Sequence, residues 1–328
     1  MKKGALILGS WGLDQIYGPE ERADLARMLD GTGSPMTAEE AKAHPDRLSD
    51  VEVILSGWGA PKLDADFLAA APCLRVFLYG AGSVRGIVTD EMWDRNILVS
   101  TAVSMNAVPV SEYTLATILF GLKRGWQQER AYRTGDRTPV IIAGGYGSTV
   151  GLISLGMIGR LVCERLRPFD VRILAYDPFL SAAEAGAMNV ELCPLDEVFR
   201  RSDVVSLHAP NLPETRGLIT GAHLASMKPW SVFINTARGA IVREDEMAQA
   251  LTQRPDLHAV LDVTIGENQE ADSPLMRLPN VTRTPHIAGS QGLECRRMGR
   301  FMVDELDRYL RGESLVGGIS RERARIMA

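Results

Sequence analysis

The sequence has no long apolar run, no closely spaced cysteine pair and no basic tract. No segment reaches the roughly 18 consecutive apolar residues that a membrane-spanning helix needs. The apolar run at residues 5–8 is too short for the core of a signal peptide. The four cysteines are far apart and form no C-x-x-C pair, which predicts reduced packing thiols and no metal site. We therefore expect a cytoplasmic protein without a membrane partner.

Positive charge is also scarce. The chain has 36 Lys and Arg residues against 41 Asp and Glu residues, so its formal net charge is −5. An acidic balance without a basic run predicts that nucleic acid is not a partner. The acidic balance still allows a local cationic pocket that binds an anionic substrate. The 328 residues are 45% hydrophobic, which is enough apolar material for about two domains of roughly 150 residues each.

Short apolar runs alternate with longer amphipathic stretches, a pattern typical of βα repeats and of a parallel sheet. The first series of predicted strands covers residues 5–8, 51–55, 74–78 and 97–99. A helix is predicted over 106–124 and a loop over 132–147. The second series of strands is predicted at 149–153, 171–176, 204–207, 232–235, 258–261 and 281–284, followed by a helix over about 291–310. The two series indicate two α/β domains.

A glycine turn or a titratable side chain follows each predicted strand of the second series. In chain order these are the turn at 154–159 and then Asp177, His208, Arg238, Asp262 and His286. Ligands bind at the carboxyl ends of the strands in an open α/β sheet. We therefore expect this edge of the second sheet to form a ligand site.

The glycine turn has the pattern S-x-G-x-x-G, formed by Ser154, Gly156 and Gly159. The related G-x-G-x-x-G turn lets a pyrophosphate approach the N-terminus of the next helix. Asp177 closes the next predicted strand, where a carboxylate accepts hydrogen bonds from ribose hydroxyls and repels a 2′-phosphate. Residues 178–181 contain no Arg or Lys that would favour that phosphate. The pattern predicts NAD(H) rather than NADP(H). The structural alternatives are a tight turn with close helix packing and a solvated loop acid.

His286 and Arg238 are the predicted reactive pair. Hydride transfer at an alcohol carbon requires a group that takes up or returns the hydroxyl proton, and histidine suits this role because its ordinary pKa is near 6.5. A guanidinium binds carboxylate and carbonyl oxygens in a fork, and Arg238 lies in the predicted turn at 235–239. The alternative for Arg238 is a surface ion pair, and His258 is interpreted as a structural histidine.

These residues resemble the NAD-dependent D-2-hydroxyacid dehydrogenases, a family that includes the phosphoglycerate dehydrogenases. The resemblance rests on segments 106–113, 150–160, 176–178, 203–210, 235–239, 261–263 and 284–289, in the family's order and spacing. It covers about residues 75–310, and the first 70 residues match more loosely, chiefly at 56–59.

The resemblance implies an α/β fold of two Rossmann-like domains with parallel sheets. A cofactor domain at 104–287 is inserted into a discontinuous substrate domain at 1–103 and 288–328, with the active site in the cleft between them. It also implies NAD as cofactor, a small anionic 2-keto or 2-hydroxy acid as substrate, and a homodimer joined mainly through the cofactor domain.

By position, the resemblance implies that Arg238, Glu267 and His286 are catalytic. His286 is then the acid/base, Glu267 orients it, and Arg238 binds the substrate carboxylate and carbonyl. The residues implied to contact the cofactor are Val110, Gly156, Met157, Ile158, Gly159, Asp177, Pro178, His208, Ala209, Pro210, Thr215, Thr236, Ala237, Asp262, Ala288 and Gly289.

On the substrate side, the backbone amides of Gly82 and Ser83 match those that hold the substrate carboxylate in the family. Trp58 and Tyr79 are candidate pocket residues, together with Arg85 and Arg297. The alternative for the two aromatic side chains is ordinary packing. Tyr79 stands where some relatives carry a basic residue, which argues against phosphoglycerate as the substrate.

The sequence departs from the family pattern in three places. Ser154 replaces the first glycine, which predicts a slightly wider turn, and Met157 replaces an Arg that is common near the pyrophosphate. The segment 262–268 lacks the common Phe after Val263 and the common Pro after Glu267.

Two other functions stay open on the same scaffold. One is an NAD-dependent regulatory or binding protein of the co-repressor type. The other is a dehydrogenase that acts on a phosphorus oxyacid or on formate.

Overall fold

The computed structural model describes residues 1–266 and 273–327. The chain divides into two compact units, the first formed by residues 1–106 with 290–328 and the second by residues 107–289. The sequence predicted boundaries at 103/104 and 287/288, and the roles predicted for the two domains stay predictions at this point. The first boundary falls inside the long helix Val103–Leu122.

The described residues contain twelve β-strands. They are β1 (Lys2–Ile7), β2 (Leu29–Asp30), β3 (Val53–Ser56), β4 (Val76–Tyr79), β5 (Leu98–Thr101), β6 (Thr149–Ile153), β7 (Arg172–Tyr176), β8 (Val190–Leu192), β9 (Val204–Leu207), β10 (Val232–Asn235), β11 (His258–Leu261) and β12 (Val281–Arg283).

Fourteen α-helices connect or flank these strands in the described ranges. They are α1 (Ser10–Ile16), α2 (Pro19–Met28), α3 (Ala38–Ala43), α4 (Ala65–Ala70), α5 (Asp90–Asp94), α6 (Val103–Leu122), α7 (Gly125–Thr134), α8 (Met157–Leu166), α9 (Ala182–Ala187), α10 (Leu195–Arg201), α11 (Gly221–Ala225), α12 (Glu244–Gln253), α13 (Glu294–Leu310) and α14 (Arg321–Ile326). Within residues 1–266 and 273–327, none combines the length and the apolar composition that a membrane crossing requires.

The first unit is built on a five-stranded parallel sheet with the order β2-β1-β3-β4-β5. Strands β3 and β4 are buried along their whole length because apolar clusters cover both faces of the sheet, as is usual for parallel sheets. The pairing is in register, so that the last residues of β1, β3 and β4 lie level with one another. The loops that follow these three strands therefore leave the same edge side by side.

The C-terminal segment completes the first unit. Helix α13 packs Met298, Met302 and Leu306 into the core at a spacing of four residues. Glu305, fully buried on the same helix, accepts hydrogen bonds from the Ser100 hydroxyl (2.6 Å) and from two backbone amides at 316 and 317 (2.9 Å each). These bonds hold the chain alongside β5, where residue 318 forms an antiparallel bridge with Ser100.

The second unit is built on a seven-stranded parallel sheet with the order β12-β11-β10-β9-β6-β7-β8. The order reverses between β6 and β9, which is the topological switch point where such sheets bind ligands. Strands β10, β11 and β12 are also in register, with Asn235, Leu261 and Arg283 paired at their carboxyl ends. Residues that follow these ends therefore gather at one edge of the sheet.

Several predicted elements differ from the structure. The prediction of a loop over 132–147 is wrong at its start, because α7 continues to Thr134. Gly135 caps this helix with a left-handed φ of 71°. The first strand begins at Lys2 because Lys2 and Lys3 pair with the short strand β2. The predictions contained neither β2 nor β8, and they did not contain α14.

Candidate active site

The glycine turn joins β6 to α8 at the switch point of the second unit. Ser154 adopts a φ of 73°, in the left-handed region that glycine occupies at lower energetic cost. Its backbone amide donates to the carbonyl of Tyr176 (2.8 Å), and the next amide, that of Leu155, donates to Asp177 Oδ2 (2.7 Å). The serine therefore occupies the conformation that the motif requires, and the turn is tied to the end of β7.

The two glycines of the turn differ in what surrounds them. A Cβ added to Gly159 would lie 2.4 Å from the carbonyl oxygen of Ser154, so close packing requires glycine there. A Cβ added to Gly156 would meet nothing within 4 Å. Gly156 caps the ten-residue helix α8, and the space beside it is open in front of the amides at the helix N-terminus. This cradle fits the pyrophosphate of a dinucleotide.

Asp177 follows β7 and makes two bonds to the backbone. Oδ2 accepts from Leu155 N (2.7 Å) and Oδ1 accepts from Phe179 N (2.9 Å). Each oxygen of a carboxylate has a second lone pair, so the group keeps the capacity to accept from ribose hydroxyls. Asp177 is therefore a positioned acid rather than a solvated loop residue.

His208 follows β9, the strand next to β6 at the switch point. It is buried, and neither ring nitrogen has a hydrogen-bond partner among the described residues. Burial lowers the pKa of His208 to about 4, so the ring is neutral at pH 7. The loop that continues through Ala209 and Pro210 is closed by Thr215, whose hydroxyl donates to the Pro210 carbonyl and accepts from Leu212 N.

The turn after β10 carries Arg238. The side chain of Asn235 shapes this turn, because Oδ1 accepts from Ala237 N (3.0 Å) and Nδ2 donates to the Arg238 carbonyl (3.2 Å). Arg238 is half-buried, and one terminal guanidinium nitrogen donates to the Ala237 carbonyl (2.6 Å). A Cβ at Gly239 would overlap the backbone of Thr264, so this position requires glycine. The arginine is therefore held by a turn with little freedom.

Asp262, directly after β11, organises the turn that carries His286. It is 2% exposed, and its carboxylate accepts from Thr284 Oγ1 (2.6 Å), Ile287 N (2.8 Å) and Ala288 N (2.8 Å). Its backbone carbonyl accepts from His286 N (3.0 Å). His286 has a φ of 55° and an exposed position. Both the side chain and the backbone of Asp262 thus support the histidine in an unfavourable backbone conformation.

Tyr113 and Thr284 extend this network, and neither is among the predicted site residues. The Tyr113 hydroxyl lies 3.0 Å from Thr284 Oγ1, which donates its own proton to Asp262, so Tyr113 is the donor to Thr284. Burial, together with the nearby Asp262 charge, raises the pKa of Tyr113. Both residues lie within segments that carry the family resemblance, and this was the only sequence signal for them.

The other candidate residues of the second unit lie on the same elements. Val110 is buried on α6, and the hydroxyl of Thr236 lies 3.4 Å from that of Thr114. Met157 and Ile158 open α8, Pro178 is exposed after Asp177, and Gly289 follows the His286 turn. Glu267 lies outside the described residues. Among those that are described, no group of three His, Cys, Asp or Glu side chains is arranged to hold a metal ion.

In the first unit, the candidate residues follow β3 and β4. Tyr79 ends β4 and packs in the core, where burial raises its pKa to about 12, so the packing interpretation fits this residue. Gly82 and Ser83 lie in the next loop, which the Thr101 hydroxyl holds by donating to the Gly82 carbonyl (2.5 Å). Trp58 follows β3 and is half-buried. Arg85 and Arg297 are exposed, the latter on α13.

Comparison with protein families gives one match over most of the second unit. A family model described as "D-isomer specific 2-hydroxyacid dehydrogenase, NAD binding domain" matches residues 115–288, which is more than half of the chain. The match includes the glycine turn, Asp177 and the turns after β10 and β12.

Two curated relatives and one solved structure extend this comparison. The chain is 35% identical over 256 residues to a D-3-phosphoglycerate dehydrogenase of Mycobacterium tuberculosis, covering 77% of this chain but 48% of the relative. It thus spans about half the length of that enzyme. It is 37% identical over 262 residues to an (S)-sulfolactate dehydrogenase of Chromohalobacter salexigens, covering 76% and 82%. The apo D-mandelate dehydrogenase of Rhodotorula graminis superposes with a TM-score of 0.82 at 25% identity, over 98% of each chain.

Proposed function

Because the chain belongs to the D-isomer specific 2-hydroxyacid dehydrogenase family, we propose that it transfers a hydride reversibly between NAD(H) and a D-2-hydroxy acid or its 2-oxo acid. The observation that carries the proposal is the turn after β12, in which three bonds to Asp262 present His286 at an exposed position. Arg238 follows the carboxyl end of β10 in the same sheet. The bound dinucleotide supplies the hydride in reduction and accepts it in oxidation.

His286 acts as the acid/base in this proposal. One nitrogen of its ring takes the hydroxyl proton as a 2-hydroxy acid is oxidised, and returns a proton to the oxygen as a 2-oxo acid is reduced. Glu267, by the family resemblance, has the role of orienting this imidazole and favouring its protonated form. The Asp262 network keeps the imidazole at the position from which it reaches the substrate.

Arg238 binds the substrate carboxylate and polarises the carbonyl. A guanidinium presents its donors in a fixed fork, which suits two neighbouring oxygens. The Asn235 side chain limits the freedom of the Arg238 backbone, so the charge is positioned before the substrate arrives. In the first unit, the backbone amides of Gly82 and Ser83 are the proposed donors to the substrate carboxylate. These cationic and amide donors attract a small anion despite the net charge of −5.

Asp177 selects NAD(H) over NADP(H) in this proposal. Its carboxylate is fixed by two backbone amides at the end of β7, where it accepts from the ribose hydroxyls and repels a 2′-phosphate. We expect the KM for NADPH to exceed that for NADH by at least about tenfold, the effect of 1.4 kcal/mol. A preference for NADPH would contradict this role.

We further propose a homodimer joined through the second unit. Four large apolar side chains near the end of α7 and in the loop after it are exposed: Tyr132, Ile141, Ile142 and Tyr146. Exposed apolar side chains close together in the sequence favour an interface with a second copy. Sedimentation analysis of the double variant Ile141→Asp/Tyr146→Asp is expected to show monomers where the parent chain sediments as a dimer. A monomeric parent chain would contradict the assignment.

All four cysteines are free thiols, which supports a cytoplasmic location.

The direct test is NADH oxidation with a panel of glyoxylate, hydroxypyruvate and longer 2-oxo acids, alongside NADH binding by calorimetry. We expect turnover with at least one 2-oxo acid. Tight NADH binding without turnover of any acid would instead favour an NAD-dependent regulator. NAD reduction only with phosphite or formate would favour the other dehydrogenase reactions of this scaffold.

A further inference from the structure

We propose that Trp11 and Trp58 form an aromatic surface that binds the side chain of the substrate. The chain then prefers 2-oxo acids with an aryl or large apolar side chain over glyoxylate. This inference rests on the proposed function, since it names the substrate class of that same reaction.

The two indoles form a stacked pair with one open side. Their ring centroids are 5.4 Å apart and their planes differ by 12°. Trp58 is half-buried and packs against the apolar clusters on both faces of the first sheet, so its ring is anchored. Trp11 is 61% exposed. The pair therefore offers rigid, water-accessible aromatic surface, which attracts aromatic rings and apolar chains.

Two glycines let the start of α1 and the loop after β3 approach closely enough for the rings to stack. Gly9 N donates to the Trp58 carbonyl (2.8 Å), and a Cβ on Gly9 would lie 2.9 Å from Trp11 Nε1. Gly59 has a φ of 80°, and a Cβ there would lie 2.6 Å from Gly9 N. A side chain at either position would separate the start of α1 from the loop after β3. The pair is thus a built feature of this edge rather than two loose surface residues.

The position of the pair in the sheet points to a ligand. The first sheet has the strand order 2-1-3-4-5, which reverses between β1 and β3, and ligands bind outside the carboxyl ends at such a point. Trp11 follows β1 and Trp58 follows β3. The loop of Gly82 and Ser83 leaves the same edge after β4, one strand further on. Neighbouring strands are about 5 Å apart, which is close to the distance from a 2-oxo acid's carboxylate to its aryl ring.

The chemistry of the pair also excludes some substrates. Indole faces bind by dispersion and stacking, and they carry no positive charge to pair with a phosphate. The pair therefore disfavours a phosphorylated acid. Glyoxylate carries only a hydrogen in place of a side chain, so nothing in it reaches the rings from the Gly82 loop.

The test compares phenylpyruvate with glyoxylate in the parent chain and in three Trp→Leu variants. Trp11→Leu and Trp58→Leu alter the pair. Trp93→Leu is the matched control. Trp93 lies on α5, which leads into the amino end of β5, whereas the Trp pair lies beyond the carboxyl ends of the strands. The measurements are kcat/KM for each acid with NADH, the Kd for NADH, and the melting temperature of each variant.

We expect the parent chain to prefer phenylpyruvate by at least about tenfold, the effect of one aromatic contact. Trp11→Leu and Trp58→Leu should each lower the phenylpyruvate-to-glyoxylate ratio by about tenfold. For each variant, the glyoxylate value, the Kd for NADH and the melting temperature separate this change in preference from a general loss of activity or folding. Trp93→Leu should leave the ratio unchanged. Since Trp11 is exposed, its variant tests the ratio even where Trp58→Leu folds poorly.

Two results separate the possible failures. Turnover with a parent preference for glyoxylate, or with a ratio that neither variant changes, would overturn the aromatic surface and leave the proposed function intact. Absence of turnover with every acid would overturn the proposed function and the substrate assignment together.

Discussion

Replacing Asp262 with alanine is expected to release the turn that holds His286. The buried carboxylate accepts three hydrogen bonds at 2.6–2.8 Å, and bonds to a charged acceptor contribute about 1.5–3 kcal/mol each. Water replaces part of this at an exposed turn, so we expect a loss of about 3–5 kcal/mol of unfolding free energy. The left-handed backbone of His286, which costs about 1 kcal/mol, is then free to relax.

Hydrogen–deuterium exchange at Ile287 and Ala288, urea unfolding and kcat together measure this effect. In Asp262→Ala, we expect faster exchange at both amides and a kcat lowered at least about tenfold, because the acid/base is no longer positioned. Asp262→Asn is the matched control, since its single carbonyl oxygen still accepts a backbone amide and the loss should be about half as large. An alanine variant with native exchange, unfolding free energy within about 1 kcal/mol of the parent and unchanged kcat would refute this reasoning.

Further predictions concern three separate parts of the chain. Gly156→Ala adds a methyl group to open space, so the unfolding free energy should change by less than about 1 kcal/mol. The same methyl group occupies the proposed pyrophosphate cradle, so the Kd for NADH should rise at least about tenfold, and unchanged affinity would contradict the cradle. Its counterpart Gly159→Ala meets a carbonyl oxygen and should lose about 1–3 kcal/mol. Glu305→Ala should cost about 3 kcal/mol in urea unfolding and speed amide exchange at 316 and 317, and native exchange there would disprove the clamp. Burial lowers the pKa of His258 to about 3. Below pH about 6.5 the histidine of the unfolded chain binds a proton and the buried one does not, so the unfolding free energy falls by up to about 1.4 kcal/mol per pH unit. His258→Phe removes this difference and should flatten the plot of unfolding free energy against pH between pH 6 and 4 by that slope. Equal slopes would rule this out.

The second sheet could be predicted closely from the sequence because its central strands are buried on both faces. Val204–Leu207, Val232–Asn235 and His258–Leu261 were predicted with the bounds that the structure gives them. Continuous apolar runs of this kind mark their own limits. Strands β2 and β8 have two and three residues and include charged side chains, so they carry no such signal. Only their pairing with a neighbouring strand defines them.

The candidate site was predictable to the extent that it depends on strand ends. Parallel strands bring their carboxyl ends to one edge, so Arg238, Asp262 and His286 were expected there from chain order alone. The bond from Tyr113 to Thr284 joins residues 171 positions apart, and no local pattern encodes it. The same reason explains why the structure, and not the sequence, shows that Asp262 supports the histidine turn.

The most direct test of the central proposal is the rate of NADH oxidation by the parent chain and by His286→Asn, each at saturating 2-oxo acid. We predict that the variant turns over at least about 10²-fold more slowly, the scale of a lost general acid, while its Kd for NADH stays within about threefold of the parent value. Near-normal turnover in His286→Asn would contradict the role assigned to this histidine and, with it, the proposed mechanism.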